Sequence, residues 1–222
     1  VMLLEMLNVL ENFNLRDMTH NSSEYIRIVS ETMKKATLDK EMFVGDPLFI
    51  DVPLEKLLSK EYASEVSDKI KKNERTFINR VTQIEPKNTT HVSVIDQEGN
   101  CVTMTHSLGM PSGVITDGLG FMFNGCMAVF DPRPGRAGSV APGKSRFSSL
   151  APTIVTKDGN PHIILGAPGG TQIAMGILQA IINVIDFDMT MLEAVSAPRF
   201  SSTSNIIDVT NRIPNYVTHE LE

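Results

Sequence analysis

The sequence predicts an α+β fold in which two antiparallel sheets stack between helical layers, a four-layer αββα sandwich. Three observations support this prediction. Apolar residues recur at helical spacing up to about residue 88, and they alternate with the period of a β-strand after Thr89. A long apolar helix then follows Gly169-Gly170. This order of helices, hairpins and helices favours sheets covered by helices over a parallel, doubly wound sheet.

The first helices are predicted from an apolar face and from capping residues. The face of the first helix consists of Leu3, Leu4, Leu7 and Leu10. Ser22 or Ser23 caps a second helix, and Ser59 opens a third that runs to about Asn73. A loop from Met42 to Val52 separates these last two helices and contains Gly45-Asp46-Pro47. The polar stretch from Lys71 to Asn88 is expected to be an exposed linker.

The central part of the chain is predicted to form hairpins. The expected strands are His91–Asp96, Cys101–Ser107, Gly118–Phe123, Thr153–Thr156 and Ile163–Leu165. Asp131–Ser149 is a long loop rich in Pro, Gly and Arg, and a loop of this length is usually functional or disordered.

The last part of the chain returns to helical spacing. The apolar face of its long helix is made of Ile173, Ile177, Leu178, Ile181, Ile182 and Ile185. A short helix is expected at Met191–Val195, with short strands at Arg199–Ser201 and Ile206–Val209. We expect the chain to be cut at both ends, because it begins inside a helical pattern and finishes where another helix starts.

Composition limits the function classes. The chain has 222 residues, of which 41% are hydrophobic, so it can bury a core. Its formal net charge of −6 argues against a nucleic-acid partner. The histidines and cysteines lack metal spacing, so we predict no metal and no cofactor. Cys101 and Cys126 are interpreted as buried thiols, although one bridge between them stays open. No run approaches the ~18 apolar residues of a membrane span.

Thr89 stands where the polar linker ends and a strand begins. A threonine hydroxyl is a poor nucleophile unless a base removes its proton, and cleavage of the chain before Thr89 would supply its own α-amine as that base. An α-amine has a pKa of about 7.7–8.0, so part of it is neutral near physiological pH. The alternative is that Thr89 and Thr90 only open a strand.

Two further segments have residue types suited to a reaction at a carbonyl. Gly166–Thr171 joins a strand to a helix, and its backbone amides can stabilise an oxyanion. It lacks the Gly-Lys-Ser/Thr of a phosphate-binding loop, and a simple tight turn is the alternative. Ala141–Ser149 combines Lys144 and Arg146 with three serines, a set that suits a carboxylate ligand. The alternative for this second segment is a solvated basic loop.

Together these segments resemble the γ-glutamyltranspeptidase family of N-terminal nucleophile hydrolases. The resemblance covers nearly the whole chain: residues 1–88 are similar to the tail of the large subunit and residues 89–222 to the small subunit. The segments that carry it are Asn14–Ser22, Gly45–Pro47, Leu58–Ala63, Thr89–Asp96, Ser148–Val155, Gly166–Gly170 and Glu193–Phe200. Their order and spacing are as expected for the family.

The resemblance implies a precursor that cuts itself between Asn88 and Thr89. Mature Thr89 would attack a substrate amide, with Ser107 supporting the hydroxyl and the Gly169 and Gly170 amides holding the oxyanion. Ser148 and Ser149 match the pair that binds the substrate carboxylate, and Arg146 lies beside them. The implied partners are a small amide substrate with a carboxylate and the two subunits for each other. A homodimer stays open, and a periplasmic or extracellular location is expected.

The chain departs from the family where a glutamyl α-amine would bind. The positions of the acceptor side chains are occupied by Gly109, Cys126 and Val129, and only Asp131 nearby could compensate. A buried, unpaired ammonium is costly. We therefore hypothesise an amidohydrolase or acylase, of the oxamate or cephalosporin acylase type, that acts on acyl groups without this amine. True γ-glutamyl transfer or glutathione hydrolysis, and a catalytically silent or binding-only protein, are the alternatives.

Overall fold

The computed structural model describes residues 1–79 and 89–222, and these residues form two compact units. The first unit comprises Val1–Val44, Asp51–Val81 and Leu178–Glu222. The second comprises Gly45–Ile50 and Thr82–Ile177. The pieces 1–88 and 89–222 are defined by a predicted cleavage and not by packing, and they stay a prediction.

The first unit is mainly helical. It contains α1 (Met2–Leu10), α2 (Ser23–Phe43), α3 (Leu54–Leu57), α4 (Lys60–Lys71), α6 (Met191–Ser196) and α7 (Asn215–Leu221). Of these, α2, α4 and α6 begin where the sequence predicts them. The hydroxyl of Ser22 accepts the Tyr25 N–H, and the hydroxyl of Ser59 accepts the Tyr62 N–H. These bonds satisfy amides that a helix N-terminus otherwise leaves unpaired. The one-turn helix α3 was not predicted.

The residues after α4 do not form a free linker. The Thr76 N–H donates to the Glu31 carboxylate at 2.7 Å, and Ile78 is buried. The backbone of Ile78 donates to and accepts from the side-chain amide of Asn205, at 2.8 and 2.9 Å. The prediction of an exposed stretch is confirmed for residues 72–75, Phe77 and Asn79, whereas the backbones of Thr76 and Ile78 are held by these hydrogen bonds. The rest of the predicted linker, Arg80–Asn88, lies outside the described residues.

The second unit contains three antiparallel hairpins, of which the first and the third were predicted. They are β1 (Thr89–Ile95) with β2 (Cys101–Ser107), β3 (Pro111–Ile115) with β4 (Met122–Asn124), and β5 (Thr153–Lys157) with β6 (Asn160–Leu165). The predicted strand over Gly118–Phe123 is confirmed only at Met122 and Phe123, in β4, because Gly118 and Gly120 have φ of +83° and +69° and lie in the connection between β3 and β4. The short pair β7 (Phe200–Ser201) and β8 (Asp208–Val209) belongs to the first unit. The stacking of the sheets into four layers stays a prediction.

Helix α5 (Ile173–Ile185) follows the Gly169-Gly170 turn as predicted. Five of its six predicted core residues are buried, whereas Ile185 at its end is 44% exposed. Cys101 and Cys126 are free and only half-buried, so the interpretation of both as buried thiols is wrong. In the described part of the chain, no helix is long and apolar enough to cross a membrane.

A buried carboxyl group lies in the core of the helical unit. Glu5 on α1 is 2% exposed, and neither of its carboxyl oxygens has a hydrogen-bond partner within residues 1–79 and 89–222. Burial, reinforced by the neighbouring Asp39 carboxyl group, raises the pKa of Glu5 from 4.5 to about 9. Asp39 itself is bonded to the ammonium of Lys35 at 2.5 Å and to the hydroxyl of Tyr62 at 2.7 Å. Glu5 is therefore protonated in the folded protein at neutral pH.

This raised pKa predicts how stability depends on pH. Folded Glu5 keeps its proton while unfolded Glu5 loses it above pH 4.5, so its contribution to stability is complete below that pH and is lost as the pH rises toward 9. We expect Glu5→Gln, which cannot ionise, to raise the free energy of unfolding at about pH 7 by roughly 1–3 kcal/mol. Urea unfolding at several pH values checks this prediction. Equal pH dependence in both proteins would contradict it.

Candidate functional site

The register of the first hairpin brings two hydroxyl groups together. Thr89 pairs with Ser107 across β1 and β2, and both side chains lie on the same face of the hairpin. The Thr89 hydroxyl donates to the Ser107 oxygen at 2.9 Å. Thr89 is half-buried, so a ligand can approach it. This hydrogen bond fixes the direction in which the Thr89 oxygen points.

Ser107 is held in turn by the backbone that follows it. Its oxygen also accepts the Gly109 N–H at 2.9 Å, in a turn where Gly109 has φ of +65°. A Cβ at Gly109 would lie 2.8 Å from the Cys126 sulfur, so the thiol occupies the space beside this glycine. Cys126 begins a 3₁₀-helix that ends at Val129. Gly109 and Cys126, two positions where amine ligands are expected to be missing, therefore lie next to each other. Gly109 follows Ser107 by two residues.

The loop between β6 and α5 has a backbone that favours glycine. Gly169 has φ of +133° and Gly170 has φ of +59°, conformations that other residues rarely adopt. A 3₁₀ turn over Gly170–Gln172 leads directly into α5. The amides at the start of this helical segment are oriented to attract negative charge. The loop thus has the geometry of an anion-binding turn.

His91 links this loop to the strand that begins with Thr89. Its imidazole fills the space beside Gly166, because a Cβ on Gly166 would lie closer than 3.0 Å to three ring atoms. Its Nδ1 is 2.9 Å from the Thr105 hydroxyl, and its Nε2 is 3.0 Å from the Ser93 hydroxyl. Sequence reasoning missed this role. The available signal was the spacing of two residues from Thr89, which places His91 on the same face of β1.

Two hydrogen bonds of the serine-rich loop, Ala141–Ser149, are made with the loop's own backbone. The Ser148 oxygen accepts the Leu150 N–H at 3.2 Å, and the Arg146 guanidinium donates to the Phe147 carbonyl at 2.8 Å. Ser148 is exposed and Ser149 is half-buried. The structure therefore brings Thr89 to Ser107 and His91 to Gly166, whereas in residues 1–79 and 89–222 the hydrogen bonds of Arg146 and Ser148 stay within their loop.

The other half of the predicted scissile bond, Asn88, lies outside the described residues. Thr89 is the first described residue after this gap. Within residues 1–79 and 89–222, no group of three or more His, Cys, Asp or Glu side chains could hold a metal ion.

Comparisons with known proteins agree on one family. The family model described as Gamma-glutamyltranspeptidase matches residues 1–222. The Acylase ACY 1 proenzyme of Pseudomonas sp. (strain V22) is 36% identical, over 100% of this chain and 40% of the relative. The Glutathione hydrolase proenzyme of Escherichia coli (strain K12) is 34% identical, over 89% of this chain and 37% of the relative. The chain thus spans about two-fifths of the length of these relatives.

The fold is also similar to that of a solved enzyme. The crystal structure of cephalosporin acylase from Bacillus halodurans superposes with a TM-score of 0.81 at 27% sequence identity, covering 99% of this chain and 40% of that one. The mixed arrangement of helices and strands is therefore that of this family.

The contact between His91 and Gly166 can be tested by adding a single methyl group. We expect Gly166→Ala to displace either the imidazole or the loop, and so to lower both the melting temperature and any amide turnover. Gly176→Ala is the matched control, because a Cβ at this helical position meets nothing within 4 Å. The control should stabilise α5 by about 0.5–1 kcal/mol. An unchanged melting temperature and unchanged turnover in Gly166→Ala would contradict the importance of the contact between His91 and Gly166.

Proposed function

Because this chain belongs to the γ-glutamyltranspeptidase family, we propose that it carries the reacting part of a self-processing amidohydrolase with Thr89 as nucleophile. The observation that carries the proposal is the 2.9 Å hydrogen bond from the Thr89 hydroxyl to Ser107, at the first residue of β1. Two relatives of this chain bear the name proenzyme, which supports activation by cleavage.

The proposed activation releases the base that the nucleophile needs. The Thr89 oxygen attacks the carbonyl carbon of Asn88, the peptide C–N bond breaks, and the chain is joined by an ester. Breakage of this C–N bond frees the Thr89 α-amine, which takes up the hydroxyl proton. Water then hydrolyses the ester, which releases the Asn88 carboxylate and restores the Thr89 hydroxyl. The neutral amine can accept the hydroxyl proton, because its pKa of about 7.7–8.0 is close to physiological pH.

The same groups then act on the substrate. The Thr89 oxygen attacks the amide carbonyl while its proton moves to the α-amine, and the Gly169 and Gly170 amides stabilise the oxyanion. The amine returns the proton to the leaving nitrogen, the C–N bond breaks, and an acyl-enzyme ester remains. Water completes the cycle by the same route. Ser107 acts as a positioning residue, since it holds the attacking oxygen toward the carbonyl.

We propose that the acyl group of the substrate carries a carboxylate but no α-amine. Ser148, Ser149 and Arg146 supply the hydroxyl groups and the cation that suit a carboxylate. Gly109 has no side-chain acceptor for an ammonium group, and Cys126 has only a thiol, a weak acceptor. The name of the acylase relative supports this choice.

Asp131 does not compensate for the missing amine ligands. Its carboxylate accepts three hydrogen bonds from the Arg133 guanidinium, Nε to Oδ1 at 2.9 Å, Nε to Oδ2 at 3.2 Å and Nη2 to Oδ2 at 2.7 Å. The bonds from Arg133 lower the pKa of Asp131 below its ordinary value. Its charge is thus already paired, and a substrate ammonium would have to displace Arg133.

True γ-glutamyl transfer or glutathione hydrolysis is the second candidate, and the 34% identity to the Escherichia coli glutathione hydrolase favours it.

We also propose, from the family resemblance alone, a four-layer αββα domain in the complete protein, a periplasmic or extracellular location, and assembly as a homodimer.

The nucleophile is tested by two substitutions in the full-length protein. We expect Thr89→Ala to abolish amide turnover, by roughly 10³-fold or more, because no attacking oxygen remains. Thr89→Ser should keep measurable turnover, since it retains both the hydroxyl group and the α-amine. Release of p-nitroaniline from an acyl anilide measures both variants. Turnover by the alanine variant close to that of the wild type would refute the assignment.

The absent amine ligands predict a substrate preference. We expect glutaryl-p-nitroanilide to be turned over with a higher kcat/KM than γ-glutamyl-p-nitroanilide, because only the latter brings an ammonium group to Gly109 and Cys126, which offer it no strong acceptor. The two compounds differ in that amine alone. A strong preference for the glutamyl compound would instead favour the transferase.

A further inference from the structure

A six-residue segment from the first part of the chain belongs to the unit that contains Thr89. Gly45–Ile50 packs with the second unit, whereas the residues on either side of it pack with the helical unit. Asp46, within this segment, is only 6% exposed. A carboxylate is rarely this buried unless its oxygens are bonded.

The carboxylate of Asp46 joins two segments that are far apart in sequence. One oxygen accepts the Leu48 N–H at 3.0 Å, within its own segment. The other accepts the Ser145 N–H at 2.7 Å, across 99 positions of sequence. These two bonds, that from Ser145 being the stronger influence, lower the pKa of Asp46, so it is ionised at neutral pH.

Two neighbouring contacts bring the same segments together. Gly45 approaches the Ala137 carbonyl so closely that a Cβ would lie nearer than 3.0 Å to its oxygen. The Lys144 ammonium donates to that same carbonyl at 2.8 Å, and it lies 5.9 Å from the centre of the Phe49 ring. The segment therefore fixes the loop at both Ala137 and Ser145. Arg146, Ser148 and Ser149 follow directly in sequence.

We propose that Asp46 is a positioning residue that holds the Ser145–Ser149 segment in the conformation that binds the substrate carboxylate. This inference rests on the proposed function for the role of Ser148 and Ser149. Cleavage before Thr89 would leave Asp46 and Ser145 on different pieces. The hydrogen bond from the Ser145 N–H to Asp46 would then connect the two mature pieces, which cleavage leaves without a covalent link.

Tryptic cleavage of the full-length protein tests the loop without any catalysis. Lys144 and Arg146 flank Ser145, so a loop released from Asp46 exposes two trypsin sites. Asp46→Asn has nearly the same shape but loses one acceptor oxygen, and we expect it to be cut at these sites about tenfold faster than the wild type. Asp96→Asn is the matched control. Its carboxylate also accepts two backbone N–H groups, from Glu98 and Asn100, but within a hairpin turn.

Kinetics of the same variants separate positioning from a general loss of structure. We expect Asp46→Asn to raise KM for glutaryl-p-nitroanilide by about tenfold with kcat within about twofold, and Asp96→Asn to change neither. Hydrogen exchange adds a test that needs no variant, because the Ser145 amide of the wild type should exchange far more slowly than an unbonded amide.

Three results would overturn the proposal: a tryptic pattern unchanged by Asp46→Asn, a fall in kcat with KM unchanged, or an unprotected Ser145 amide. A wild-type protein that turns over neither anilide would refute the proposed function instead. In that case tryptic cleavage and hydrogen exchange would still decide whether Asp46 holds the loop.

Discussion

The hydrogen bond between Thr89 and Ser107 depends on the register of a single hairpin. Seven residues of β1 pair with seven of β2, from Thr89 opposite Ser107 to Ile95 opposite Cys101. A shift by one residue would move every side chain to the opposite face. In the observed register, Thr89 and His91 share one face with Thr105 and Ser107. The opposite face is apolar and exposed, with Val92, Val94, Val102 and Met104.

The remaining parts of the site are connected to this hairpin through small contact regions. His91 reaches the loop before α5 because Gly166 has no side chain to exclude the imidazole. Thr103 on β2 donates to the Leu165 carbonyl at the end of β6, at 3.3 Å. The position of the Gly169-Gly170 turn is thereby coupled to that of Thr89. The serine-rich loop has a different support, since Asp46 and Gly45 hold it from the first part of the chain.

Local sequence patterns predicted the elements that are determined locally. The bounds of β2 agree with the prediction, and Ser22 and Ser59 cap helices where expected. The predicted strand over Gly118–Phe123 begins four residues too early, because two glycines with positive φ lie in the connection before β4. The one-turn helix α3 has too few residues to show a helical period. The face of α5 was predicted except at Ile185, its last residue.

Long-range contacts could not be predicted from local sequence patterns. The sequence placed Asp46 in a loop, but its partner Ser145 is 99 residues away and donates through a backbone amide that any residue except proline could supply. The sequence placed Ile78 in a polar linker. Its backbone makes two hydrogen bonds with the side chain of Asn205, a residue far away in sequence, and no local pattern indicates this contact. Thr89 and Ser107 were paired by family resemblance. The structure adds the 2.9 Å hydrogen bond, while their catalytic roles remain a proposal.

The free amino group on Thr89 is the central claim, and the N-terminal sequence of the purified full-length protein tests it most directly. The account predicts two pieces, of which the smaller begins Thr-Thr-His-Val-Ser. A single uncut chain after long incubation, or a smaller piece that begins at any other residue, would contradict it. Without that amine, Thr89 has a hydroxyl held by Ser107 but lacks the proposed base.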